Sequence, residues 1–190
     1  DHPLPPHDRQ GRTHRLELDD QSLREWDAVV LDVSDEGIVL DRSVFYARGG
    51  GQPGDTGVIR FDGGETQIVD TIRRQGKILH VPAPDQSLPE PGMGVETVID
   101  WARRYRVMRT HTALHALSGV VFRDFGAKVT GGNMEPLKAR MDFCLATMSA
   151  DFASEVEAKI NAEVSAARDV TVEILPREPD GSKLRDLEAL

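Results

Sequence analysis

The sequence predicts an α+β chain: a small antiparallel β-barrel over residues 15–99, followed by an α/β two-layer domain over residues 100–190. Three observations carry that prediction. Short apolar, β-rich runs recur between turn signals as far as Ile99. Helical spacing takes over at Asp100, and two amphipathic helical patterns then alternate with strand-like runs.

Residues 1–14 hold three prolines before residue 7 and little apolar content, and read as a disordered arm or a remnant of expression. Ala28-Val29-Val30-Leu31 and Gly37-Ile38-Val39-Leu40 are strand runs split by the turn Ser34-Asp35-Glu36-Gly37. Val44-Phe45-Tyr46 reads as a third strand and Gly57 to Phe61 as a fourth, closed by Asp62-Gly63-Gly64. Thr66 to Ile72 and Lys77 to Val81 form a hairpin, residues 82–91 are a proline-rich connection, and Val95 to Ile99 is the last barrel strand. Trp101 to Phe122 has helical periodicity with Gly126 as its stop. Lys128 to Gly132 reads as a turn and Ala139 to Leu145 as a strand. Phe152, Val156, Ile160 and Val164 recur at helical spacing behind a cap at Ser149 or Asp151, and Val170 to Leu175 closes as a strand.

Composition narrows the function. The net charge of −9 argues against wholesale nucleic-acid binding, and DNA is not an expected partner. The charge is uneven: residues 98–140 carry +5 and the remainder −14. A basic segment on an acidic body suits local contact with a phosphate backbone, and reads equally as a solvated helix face. No apolar run is long enough to span a bilayer, so no membrane role is expected. The single cysteine, Cys144, fits a reducing cytoplasm. Between Phe143 and Leu145 it reads as a small buried hydrophobe rather than a nucleophile.

Two stretches carry chemistry. In Arg109-Thr110-His111-Thr112-Ala113-Leu114-His115, two histidines stand four residues apart on a predicted helix, one turn apart on one face. Such a pair can share a zinc ion; it can equally be two polar side chains. Thr112 stands where a zinc protease carries its glutamate base, which excludes that motif. In Gly49-Gly50-Gly51-Gln52-Pro53-Gly54-Asp55-Thr56-Gly57, three glycines permit close backbone approach, followed by an amide that donates and accepts. No Lys-Ser/Thr follows, so it is not a phosphate loop.

Phe45-Tyr46-Ala47-Arg48 with this glycine run resembles the glycine-rich signature of the alanyl-tRNA synthetase editing region and its free-standing AlaX-type relatives. His111 and His115 are similar to the family's His-x-x-x-His motif. Val129-Thr130-Gly131-Gly132, with Ala139 to Phe143, resembles the segment after that helix. The three motifs stand in the family's order and span residues 15–178. The resemblance implies a cytoplasmic aminoacyl-tRNA deacylase that removes serine or glycine from mischarged tRNA-Ala in trans. It implies zinc held by His111 and His115, with Gln52 and Thr130 recognising the substrate. Arg103, Arg104, Arg106 and Arg109 are then candidate contacts for the tRNA acceptor end.

The chain departs from the family in one respect. The family's second zinc pair, Cys-x-x-x-His, does not occur: Met148 holds the fourth place after Cys144, and no histidine follows His115. The expectation is that the editing domain is C-terminally incomplete. The alternatives are a protein without zinc, or a weak site of two histidines and waters. A non-catalytic tRNA-binding relative and a deacylase for another hydroxy amino acid, such as a threonine analogue, are the competing functions.

Overall fold

A computed structural model describes residues 12–171 of the chain. The arm expected over residues 1–14 lies, up to residue 11, outside the described residues, as does most of the strand expected at Val170 to Leu175. The chain divides into two compact units. One comprises residues 1–111 with 132–140, and the other residues 112–131 with 141–190.

In the first unit, β1 (His14–Arg15) and a single turn of helix, α1 (Leu16–Asp19), lead into the strands. These are β2 (Glu25–Ser34), β3 (Gly37–Leu40), β4 (Arg42–Ser43), β5 (Gly57–Phe61), β6 (Gly64–Arg74), β7 (Lys77–Pro82) and β8 (Gly94–Ile99). Six of them close a barrel in the order β2-β3-β7-β6-β5-β8, while β1 pairs in parallel with β4. Closure removes the sheet edges that would otherwise template aggregation. Alternation along the strands sends Ala28, Val30, Ile59, Ile68 and Val95 inward to pack with Ile38, Leu40 and Phe45. In β6 the register shifts between Ile68 and Asp70, so the buried set passes from Thr66 and Ile68 to Thr71.

Val44-Phe45-Tyr46 is not the strand the sequence suggests. Ser43, Val44 and Phe45 are buried consecutively, without the alternation of a strand, because the segment plugs the barrel. Beneath it lies a fully buried histidine. His80 Nδ1 donates to the Ile38 carbonyl (2.9 Å), Ser43 Oγ donates to His80 Nε2 (2.7 Å), and Ser43 Oγ accepts the Phe45 N–H (3.0 Å). Burial pulls the His80 pKa down to about 4.

Beyond the barrel the elements are α2 (Trp101–Phe125), β9 (Val129–Glu135), β10 (Lys138–Phe143) and α3 (Phe152–Ser165). The division between units falls within α2, between His111 and Thr112. In the second unit Val121, Ala127 and Val156 form a small core with Leu117, Phe125, Phe143, Phe152 and Ile160 packed against it. Phe125 and Phe152 meet edge-to-face at 5.0 Å. A closed antiparallel barrel followed by helices and a hairpin is the α+β architecture the sequence predicts.

Three local expectations are corrected. Val129 to Gly132 is not a turn but the start of β9, which pairs with β10 as a hairpin. Tertiary pairing there overrides the turn propensity of two glycines. Asp151 stands at the N-cap of α3 without a side-chain capping bond. Cys144 is exposed, not buried, although its N–H bonds the Lys128 carbonyl (3.0 Å).

Candidate active site

The glycine-rich stretch forms a closed loop on the barrel. The Gly49 and Gln52 backbones bond each other reciprocally (3.1 and 2.9 Å), the Arg48 N–H bonds the Thr71 carbonyl, and the Asp55 N–H bonds the Tyr46 carbonyl. Gly51 has φ +79°, and a Cβ there would stand 2.9 Å from the Gly132 carbonyl oxygen. That approach is used, because the Met134 N–H bonds the Gly51 carbonyl at 3.0 Å. At Gly54 a Cβ would collide with the Thr71 backbone. The glycines therefore let the loop lie against β6 on one side and β9 on the other.

This geometry leaves Gln52 buried and aimed at α2. Its Oε1 lies 2.7 Å from His111 Nδ1. With Nδ1–H donating to the amide oxygen, a neutral imidazole carries its lone pair on Nε2. That is the nitrogen with which it can accept a proton from water or ligate a metal. His111 itself is half-buried.

A buried ion pair fixes α2 to the same loop. Asp55 Oδ2 accepts from the Tyr46 N–H (2.7 Å) and from Nε of Arg104 (2.8 Å), and also receives Nη2 of Arg104. Arg104 Nη2 also reaches the Val44 carbonyl (2.7 Å) and Nη1 the Gln21 carbonyl (3.2 Å). Thr110, one position before His111, accepts the Leu137 N–H (2.9 Å) and donates to the Arg106 carbonyl (2.9 Å), which seats the β9–β10 turn on the helix.

The residues singled out from sequence fare unequally. Gln52 and His111 are brought together. His115 and Thr130 belong to the second unit, where both are exposed. There His115 lines an open groove of about 740 Å³ with Thr112, Gly119, Val120, Glu163 and Arg168. Arg104, expected as a phosphate contact, is 3% exposed and committed to Asp55, so a phosphate does not reach it. Arg103 is half-buried and donates to the Gly54 carbonyl at 2.8 Å. Arg106 and Arg109 are exposed. Asp55 was missed in sequence; its signal was its place inside the glycine-rich motif.

Zinc takes three or four protein ligands in nearly all its sites. Among the described residues no group of three or more His, Cys, Asp or Glu is placed to hold a metal ion. Two histidines on one helix fall short of that set, so the described residues do not make a zinc site.

The first unit is a closed barrel whose glycine-rich loop lies against a histidine-bearing helix. The family model described as tRNA synthetases class II (A) matches residues 16–103. The chain is 37% identical over 175 residues to the alanyl-tRNA editing protein AlaX-M of Methanosarcina acetivorans, covering 88% of this chain and 71% of that protein. It is 34% identical over 168 residues to AlaX-M of Saccharolobus solfataricus, covering 87% and 70%. It is also 38% identical over 172 residues to the alanine–tRNA ligase of Pyrobaculum arsenaticum, spanning 19% of that much longer enzyme. The chain belongs to the AlaX-type alanyl-tRNA editing family.

Proposed function

We propose that this chain is an aminoacyl-tRNA deacylase, hydrolysing the ester of tRNA-Ala mischarged with serine or glycine, in trans and in the cytoplasm. Its membership in a family whose relatives are named alanyl-tRNA editing proteins supports the reading. The observation that carries it is the Gln52–His111 bond, which joins the two family motifs in one unit.

In this reading water attacks the ester carbonyl, the bond to the ribose oxygen breaks, and the ribose hydroxyl leaves with a proton. His111 accepts the proton of the attacking water at Nε2 while Gln52 holds the ring. Ser43 and His80 contact each other but are sealed within the barrel, out of reach of a substrate, so water and not that serine is the proposed nucleophile. Hydrolysis of serine but not alanine needs a test of the hydroxyl. A site that hydrogen-bonds a hydroxyl discriminates against the analogue lacking it by about 10⁴–10⁵. The amide nitrogen of Gln52, in the same unit as His111, is the proposed donor for that test.

The experiment is release of radiolabelled amino acid from seryl-, glycyl-, threonyl- and alanyl-tRNA-Ala. Loss of serine or glycine with alanine retained supports the reading, and preferred loss of threonine moves the specificity to another hydroxy amino acid. A second reading, a tRNA-binding relative without turnover, is favoured by the incomplete metal set among the described residues. It predicts bound tRNA with every ester intact.

A further inference from the structure

The first unit carries an exposed cluster that the editing chemistry does not use. Trp101, Tyr105 and Arg109 stand four residues apart along α2, which aligns them in one stripe. The Arg24 guanidinium lies over the Trp101 ring, 4.5 Å from its centroid, and the Trp101 and Tyr105 rings are 6.1 Å apart at 30°. Tyr105 is 52% exposed, and Arg24, Arg106 and Arg109 are exposed around it. His111 belongs to the other side of the helix, the side held by Gln52.

The charge pairing elsewhere makes this cluster stand out. In a chain of net charge −9, arginines find carboxylates easily: Arg48, Arg74 and Arg104 each hold one, and Arg60 and Arg123 each hold two. Among the described residues, Arg24, Arg106 and Arg109 have no carboxylate partner. The nearby Asp100 carboxylate instead accepts the Arg103 backbone N–H at 3.0 Å. Arg12, Arg73 and Arg103 share the lack of a carboxylate, but Arg103 donates to the Gly54 carbonyl and the other two do not belong to this cluster of rings. Three uncompensated guanidiniums around an exposed phenol and a stacked indole form a surface for an external polyanion that has π-faces.

We propose that Arg24, Trp101, Tyr105, Arg106 and Arg109 form a platform that seats an RNA strand. Arg106 and Arg109 contact phosphates, and Tyr105 and the outer face of the Arg24 guanidinium stack unpaired bases. The choice of RNA as partner rests on the deacylase reading; the surface itself rests on the geometry. The platform replaces Arg103 and Arg104 as the tRNA contact. It anchors the substrate away from the reacting ester, which then reaches His111 around the helix.

The test uses the full chain and a fluorescent, unacylated RNA hairpin ending in a single-stranded 3′ CCA, titrated by anisotropy at several salt concentrations. Tyr105→Ala should weaken binding about fivefold or more, with Tyr105→Phe restoring it. Arg106→Ala with Arg109→Ala should weaken binding about tenfold or more and lower the log–log salt slope by about 2. Arg73→Ala should change nothing. Platform variants that bind like the wild type overturn the proposal, as does failure of Tyr105→Phe to restore affinity or of the wild type to bind RNA. Intact platform-dependent binding with no ester hydrolysis would sustain this surface while removing the proposed activity.

Discussion

Gln52 Oε1 and His111 Nδ1 are 2.7 Å apart, bridging 59 residues of sequence. The amide fixes the ring and assigns its tautomer, the service that hydrogen-bonded neighbours perform for working histidines generally. Gln52→Leu keeps the volume and removes the acceptor. Deacylation should fall about 10–100-fold with the thermal midpoint little changed. Nitrogen-15 NMR of His111 should show mixed tautomers in the variant and a single Nδ1–H form in the wild type.

Asp55 and Arg104 hold α2 on the barrel, and both are almost wholly buried. Removing one partner of a buried pair strands the other's charge, at about 3–5 kcal/mol. Asp55→Ala should lose stability on that scale in urea titrations. The surface substitution Arg60→Ala, which breaks an exposed pair with Glu65 and Glu96, should leave the urea midpoint nearly unchanged.

Gly50 and Gly51 both have positive φ, but only Gly51 meets a neighbouring backbone. Gly50→Ala should cost about 1 kcal/mol for its left-handed conformation. Gly51→Ala adds the conflict with the Gly132 carbonyl and should cost clearly more, with a loss of deacylation as Gln52 shifts. Equal destabilisation by the two would mean the loop does not lie against β9.

His80 makes stability depend on pH. Unfolded, its pKa returns to about 6.5; folded, burial holds it at about 4. Between those values the unfolded chain binds a proton that the folded one refuses, so stability is full above pH 6.5 and falls as pH drops toward 4. A shift of that size corresponds to about 3 kcal/mol. Urea titrations across that range should show the loss, and His80→Gln should flatten this part of the profile. Ser43→Ala, which leaves Nε2 without its donor, should destabilise by about 1–3 kcal/mol at neutral pH.

The barrel strands were legible because alternation and turn residues are local signals, as at Gly37-Ile38-Val39-Leu40 and Asp62-Gly63-Gly64. What eluded the sequence depended on pairing and packing that local composition does not encode. Val44 and Phe45 carry strand-like residues, yet they plug the barrel above His80. Val129 to Gly132 has turn composition, yet it pairs with β10. Gln52 and His111 could be named from their motifs, but their bond could not. Arg104 and Arg106 look alike in sequence, and only packing makes one an internal ion pair and the other a surface cation. Cys144 shows the converse: apolar neighbours in sequence did not mean burial.

The most direct measurement is single-turnover hydrolysis of seryl-tRNA-Ala and alanyl-tRNA-Ala by the wild-type chain and by His111→Ala. Rapid loss of the seryl ester, sparing of the alanyl ester and collapse of the rate in His111→Ala is the predicted result. Seryl-tRNA-Ala that stays intact, or a His111→Ala variant as fast as the wild type, would contradict it.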